Sequence, residues 1–120
     1  MAILHSVQAV RIFVTDLERS RTFYADVLEL EERSTVATSV VFVLGGMEVI
    51  IEAVPPNDPE AEGLAGRFLS VSFQVEDIDA TYRTLIERGV TFVQPPEKQP
   101  WGGTLAFLSD PDGNVLTLVQ

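Results

Sequence analysis

Cysteine is absent from the chain and histidine occurs once. No disulfide, thiolate metal site or cysteine nucleophile can therefore be built. With His5 as the sole imidazole, a nucleophile–histidine triad is out of reach as well. The lack of thiols fits a reducing compartment, and a cytoplasmic location is expected. No apolar run approaches the roughly 20 residues that a membrane-crossing helix needs. Met1 to Val10 has no basic n-region and runs straight into Arg11, so no signal peptide is expected. Gly-x-Gly-x-x-Gly and phosphate-loop patterns are missing too; Gly45-Gly46 and Gly102-Gly103 sit at strand edges. Positive charge is scarce, with 8 Lys and Arg against 18 Asp and Glu and a formal net charge of −10. Such a surface repels phosphate backbones and anionic bilayers, so neither nucleic acid nor membrane is an expected partner. The acidity either only keeps the protein soluble or steers a cationic ligand.

What is present is enough for one domain, residues 1–120, with a real core: 120 residues, 46% of them apolar. Val7 to Val14 alternates imperfectly and is rich in β-branched and aromatic residues, so it reads as a strand. Thr15 stands three residues before Glu18 in capping-box spacing. Leu17, Ser20, Tyr24, Val27 and Leu28 then recur on one helical face. Strands are expected at about 29–34, 39–44 and 47–54. Gly45-Gly46 supplies the positive φ of a tight hairpin between the last two.

Pro55 to Arg67 breaks the pattern with prolines, glycines and acids, and reads as a linker. Then the order restarts. Leu69 to Val75 alternates, with Ser70, Ser72 and Gln74 on one face and Val71, Phe73 and Val75 on the other. Asp77 to Arg88 reads as a helix, with Ile78, Thr81, Tyr82, Leu85 and Ile86 on one face and Gly89 at its C-terminal cap. Strands are expected at 90–93, 104–108 and 114–119, with Asp110-Pro111-Asp112-Gly113-Asn114 as the last turn. Val14-Thr15-Asp16-Leu17 matches Val75-Glu76-Asp77-Ile78, so one βαβββ module is written twice. Module 1 spans about 7–54, the linker 55–67 and module 2 about 68–120. The fold class is α+β: two tandem βαβββ modules forming a curved mixed-sheet cup. Each helix covers one face of its sheet, and two modules side by side, within one chain or across a dimer, curl the other faces into the cup.

Val14 to Ser20 leading to Phe23-Tyr24 and Val27-Leu28, with the tail Asp110 to Asn114, resembles the vicinal oxygen chelate superfamily: glyoxalase I, extradiol dioxygenases and bleomycin-resistance proteins. Gln99-Pro100-Trp101-Gly102 is similar to what the bleomycin-binding branch carries. The resemblance spans about Val7 to Gln120, and it implies four metal-ligand positions, commonly held by histidines and acidic or amide side chains. Here they fall on Ala9, Glu52, Ser70 and Thr117. Alanine cannot ligate, neutral hydroxyls are poor ligands, and one carboxylate cannot supply the three or more donors of a catalytic site. No metal and no other cofactor is expected, the alternative being a divalent metal on non-standard ligands. The resemblance also implies a homodimer, since small members commonly pair and sometimes exchange modules or an N-terminal strand.

The candidate site follows from strand parity. Arg11 and Phe13 share the face of Ala9. Arg11 is placed either to bind a ligand carboxylate or to neutralise Glu52 or Glu48. Glu52, in an otherwise apolar strand, needs a partner. It is a cation-binding group or a candidate general base, or it pairs with Arg11, expected from the neighbouring module's strand, or it stands at an edge open to water. Ser70, Ser72 and Gln74 form either a hydrogen-bonding pocket wall or a solvated face. Trp101 either lids the pocket or plugs the core. Phe107, and Thr117 at the fourth position, complete the set of ligand-binding candidates, and no catalytic residue is firmly assigned. His5 lies an even number of residues before Ala9 but about 13 Å away along a strand, and reads as surface.

Two functional classes remain, beside a third possibility of a degenerate partner protein whose cup is filled by its own side chains. One is a binding module that holds a small aromatic or cationic molecule in the cup, as in antibiotic sequestration. The other is a lyase, isomerase or dioxygenase using an unorthodox metal site or Glu52 as base.

Overall fold

Strict alternation in Val10-Arg11-Ile12-Phe13-Val14 sends Ile12 and Val14 into the core and leaves Arg11 outside. In the computed structural model, which describes residues 2–55, 57–59, 61 and 63–120, that stretch is strand β1 (Ala9–Val14). Helix α1 (Leu17–Thr22) follows and passes into a wider π-helical turn over Phe23–Val27, where the Leu28 N–H reaches back to the Phe23 carbonyl at 2.9 Å. Strands β2 (Glu31–Val36), β3 (Ser39–Leu44) and β4 (Met47–Ala53) complete module 1. Module 2 repeats the order: β5 (Phe68–Gln74), α2 (Ile78–Glu87), β6 (Thr91–Lys98), β7 (Thr104–Ser109) and β8 (Val115–Val119).

The sheets run β1-β4-β3-β2 and β5-β8-β7-β6, with β1 parallel to β4, β5 parallel to β8 and every other pair antiparallel. Two mixed four-stranded sheets with a helix packed on each give the α+β fold of two tandem modules. Their helix-facing sides share one core, in which Ile12, Phe42, Ile51, Leu108 and Leu116 meet Tyr24 and Ile78.

Three local expectations need correction. Thr15 does not cap α1; Asp16 does, its carboxylate accepting from the Arg19 N–H at 3.1 Å. Thr15 is instead held by Asp112, which accepts from both its N–H and its hydroxyl. Strand β2 starts at Glu31 rather than Glu29, because Glu29 takes a left-handed φ of 60°. Strand β6 does not stop at Val93 but continues through Pro95-Pro96 to Lys98. It lies at a sheet edge with irregular register near the prolines, so their missing N–H groups break little of the ladder. In the linker, Pro56, Glu60 and Glu62 lie outside the described residues.

Candidate functional site

Because successive strand residues point to opposite faces, the helix-free side of sheet 1 carries Ala9, Arg11 and Phe13 from β1 and Glu48, Ile50 and Glu52 from β4. Phe13 is directly opposite Glu52, which in turn faces Ser39. The Arg11 guanidinium donates to both carboxylate oxygens of Glu52, at 3.0 and 3.1 Å from Nη2. It also lies over the Phe13 ring, 5.1 Å from its centroid. The pair is open to water, with side chains 57% and 29% exposed, so its net contribution to stability is small, about 1 kcal/mol or less. Arg11 and Glu52 belong to adjacent parallel strands of one module, not to neighbouring modules as expected. A second pair, Arg33 to Glu48 at 2.8 Å, lies farther along the same strand β4. The charges of these two pairs cancel.

The matching face of sheet 2 carries no charge at its centre. Ser72 on β5, Thr117 on β8 and Phe107 on β7 fall in one row across the sheet. Thr117 is buried, while Ser70, Ser72 and Gln74 are exposed. Ser70 falls within a register irregularity between Phe68 and Ser72. Phe68 meets Phe107 edge-on at 5.8 Å, yet remains 59% exposed. Trp101 is 64% exposed at the tip of the tight Gln99–Gly103 turn, closed by the Gln99 N–H on the Gly103 carbonyl at 2.7 Å. Such exposure rules out the reading that it plugs the core. His5 is exposed ahead of β1.

The structure thus sorts the candidates onto two faces, Arg11, Phe13 and Glu52 on one and Ser70, Ser72, Gln74, Phe107 and Thr117 on the other. Among the described residues, no hydrogen bond, ion pair or ring contact joins the two faces, and their edge strands β1 and β5 belong to separate sheets. Besides the shared core and the bonds of Arg88 to Glu29 and the Val27 carbonyl, the last turn joins the modules. Asp110, buried, accepts from Tyr24 Oη and Asn114 Nδ2 on one oxygen and from the Asp112 and Asn114 N–H groups on the other. Asn114, fully buried, donates to the Phe13 carbonyl and accepts from the Gly66 and Arg67 N–H groups. Burial foremost, then the Asp110 charge, pushes the Tyr24 phenol far above its ordinary value.

Sequence reasoning took Asp110 to Asn114 as a turn and missed this docking. The available signal was an acid and an amide flanking Asp-Gly, more hydrogen-bonding capacity than a turn alone uses. The Arg33–Glu48 pair was missed as well. Among the described residues, no group of three or more His, Asp or Glu side chains converges, and no helix is long and apolar enough to cross a membrane.

Comparison with known proteins agrees with this architecture. The family model for the glyoxalase/bleomycin resistance protein/dioxygenase superfamily matches residues 3–118. The chain belongs to that superfamily. A crystal structure of a superfamily member from Sphaerobacter thermophilus superposes with a TM-score of 0.82 at 34% identity, covering 98% of each chain. A probable lactoylglutathione lyase of Synechocystis is 30% identical over 129 aligned residues, 100% of this chain and 95% of the relative. The bleomycin resistance protein of Klebsiella pneumoniae is 36% identical over 69 residues, about half of each chain (52% and 54%).

Proposed function

We propose that this protein binds a small aromatic molecule, neutral or cationic, in a metal-free cup, and acts by sequestering it. The observation that carries the proposal is the two-pronged grip of Arg11 on Glu52. Glu52 is the one good ligand among the four positions at which the resemblance implies a metal, and both of its oxygens are engaged. Ala9, Ser70 and Thr117 add no anionic or imidazole donor, so the set does not fit a divalent ion. The aromatic edges of Phe13, Phe68 and Phe107 and the hydroxyls of Ser70 and Ser72 suit burial of a planar body with a few polar contacts. The relatives named for bleomycin resistance are in keeping with it.

The cup is completed by a second copy of the chain, module 1 of one facing module 2 of the other. In support, both helix-free faces are open in a single chain, both edge strands β1 and β5 are free, and Ile3, Leu4 and Val7 are 92%, 84% and 71% exposed ahead of β1. The cysteine-free, acidic composition suits the cytoplasm.

The test is a thermal-shift screen of aromatic neutral and cationic compounds, with sedimentation velocity and metal analysis on protein purified without chelators. A ligand at about 100 times its dissociation constant stabilises the fold by about 2.7 kcal/mol, and Phe107→Ala removes that shift. A stoichiometric transition metal, or a strictly monomeric protein that still binds, overturns the proposal.

A further inference from the structure

A cleft of about 560 Å³ lies on the opposite side of the molecule from the open sheet faces, between α2, the end of β5 and the segment Val27–Leu30. Its origin is an asymmetry between the modules. Beside α1, the corresponding groove is filled by the last turn, whose Asp110 and Asp112 reach Tyr24, Thr15 and Arg19. Beside α2, the matching turn is Gly45-Gly46, which has no side chains to insert and leaves only Leu44 at the edge. The same packing that closes one groove therefore leaves the other hollow.

The cleft is floored by Leu28, Leu30, Phe73, Leu85, Leu116 and Leu118. Its rim is acidic: Glu29, Glu76 and Asp77 face a single cation, Arg88. Arg88 is already held by Glu29 at 2.6 Å and by the Val27 carbonyl at 2.8 Å. The Asp77 carboxylate caps α2 through the Ala80 N–H. Glu76 has no ion-pair partner among the described residues. Thr81 and Thr84 add hydroxyls at the mouth. Glu29 is also one of three non-glycine residues with positive φ among the described residues, a conformation with a cost for a residue with a β-carbon.

We infer that this cleft is a second ligand site, separate from the cup, for a compact hydrocarbon carrying one ammonium group. The volume is in the range of small-molecule sites. The excess of carboxylates over guanidinium at the rim, on a chain of net charge −10, selects a cation over an anion of the same shape. The apolar body fills the leucine-lined floor and the ammonium stands at Glu76.

Three probes of one shape test this: 1-aminoadamantane, 1-adamantanol and adamantane-1-carboxylate, titrated into 15N-labelled protein. The amine shifts the amide signals of Gly45, Thr81 and Thr84 and binds about tenfold or more tighter than the carboxylate at low ionic strength. Glu76→Gln brings the amine down towards the alcohol. Thr84→Phe, which fills the mouth from an exposed position, abolishes binding of all three without lowering Tm, and Ala80→Leu serves as a second block. Phe107→Ala, on the cup face, leaves these titrations unchanged, which separates this site from the proposed cup. Equal binding of the three probes, no saturable binding, shifts confined to the sheet faces, or full binding by Thr84→Phe overturns the inference.

Discussion

The phenol oxygen of Tyr24 lies 2.7 Å from Oδ2 of Asp110, joining the helix of module 1 to the last turn of module 2 across 86 residues of sequence. Both groups are buried, so the bond forms where water cannot replace it. It anchors the turn whose neighbours Asp112 and Asn114 bind Thr15 and the Phe13 carbonyl. One buried acid thereby ties the two modules together, alongside their shared core.

Tyr24→Phe removes one of the four donors to Asp110 and is expected to cost about 1–3 kcal/mol in urea unfolding. The bond also has a pH signature. The folded phenol is held protonated well above its ordinary value of 10.0, while the unfolded phenol ionises near that value. Above about pH 10 the unfolded state therefore binds fewer protons than the folded one, and stability falls as pH rises. Denaturation between pH 8 and 11 should show this decline in the native sequence and less of it in Tyr24→Phe.

Asn114→Ala leaves the Gly66 and Arg67 N–H groups and the Phe13 carbonyl, all only partly buried, without their side-chain partner. A loss of about 1–3 kcal/mol is expected by chemical denaturation. Asn114→Asp retains the acceptor but sets a second carboxylate against Asp110, so its penalty should shrink as the pH is lowered into the carboxylate range.

The Arg11–Glu52 pair is expected to matter little for folding. A double-mutant cycle on Arg11→Ala and Glu52→Ala should give a coupling of about 0.2–1 kcal/mol, falling with added salt. Either single variant then serves as a folded protein in which changed ligand affinity reports on the proposed cup rather than on stability.

Trp101 is the sole tryptophan, and its indole covers Gly103 so closely that a β-carbon there would lie 1.9 Å from the ring. Gly103→Ala must displace the indole. Intrinsic fluorescence should report a changed emission maximum with Tm nearly unchanged, since the ring is mostly in water already. An unaltered spectrum would contradict this packing.

Ser20 is fully buried on α1, and its hydroxyl has no hydrogen-bond partner among the described residues. Ser20→Ala removes an unsatisfied polar group and improves helix propensity. The variant should be neutral or up to about 1 kcal/mol more stable by thermal or urea denaturation.

The repeat, the strand alternation and the turn residues were legible in the linear chain because each is a local property. Period-2 patterns around Ile12 and Phe73, period-3.6 patterns around Leu85, and glycines at turns need no distant partner to be recognised. The faces of Arg11, Glu52, Ser72 and Thr117 followed from the same parity. The boundaries of β2 and β6 did not, because a positive φ at Glu29 and a free sheet edge beside Pro95-Pro96 override local preference. The cap of α1 was misplaced for a similar reason: Thr15 has a stronger acceptor in Asp112, far away in sequence.

By itself the sequence determined two copies of one module, their core faces, and the sheet face on which Arg11, Glu52, Ser72 and Thr117 stand. Only the tertiary structure decided which partner each charged or polar group takes: Glu52 with Arg11, Asp110 with Tyr24, Asn114 with the Phe13 carbonyl. It alone also left the groove beside α2 hollow while its counterpart was filled. The reason is physical: alternation fixes the face a side chain occupies, whereas hydrogen bonds and cavities depend on distances between segments that only packing brings together.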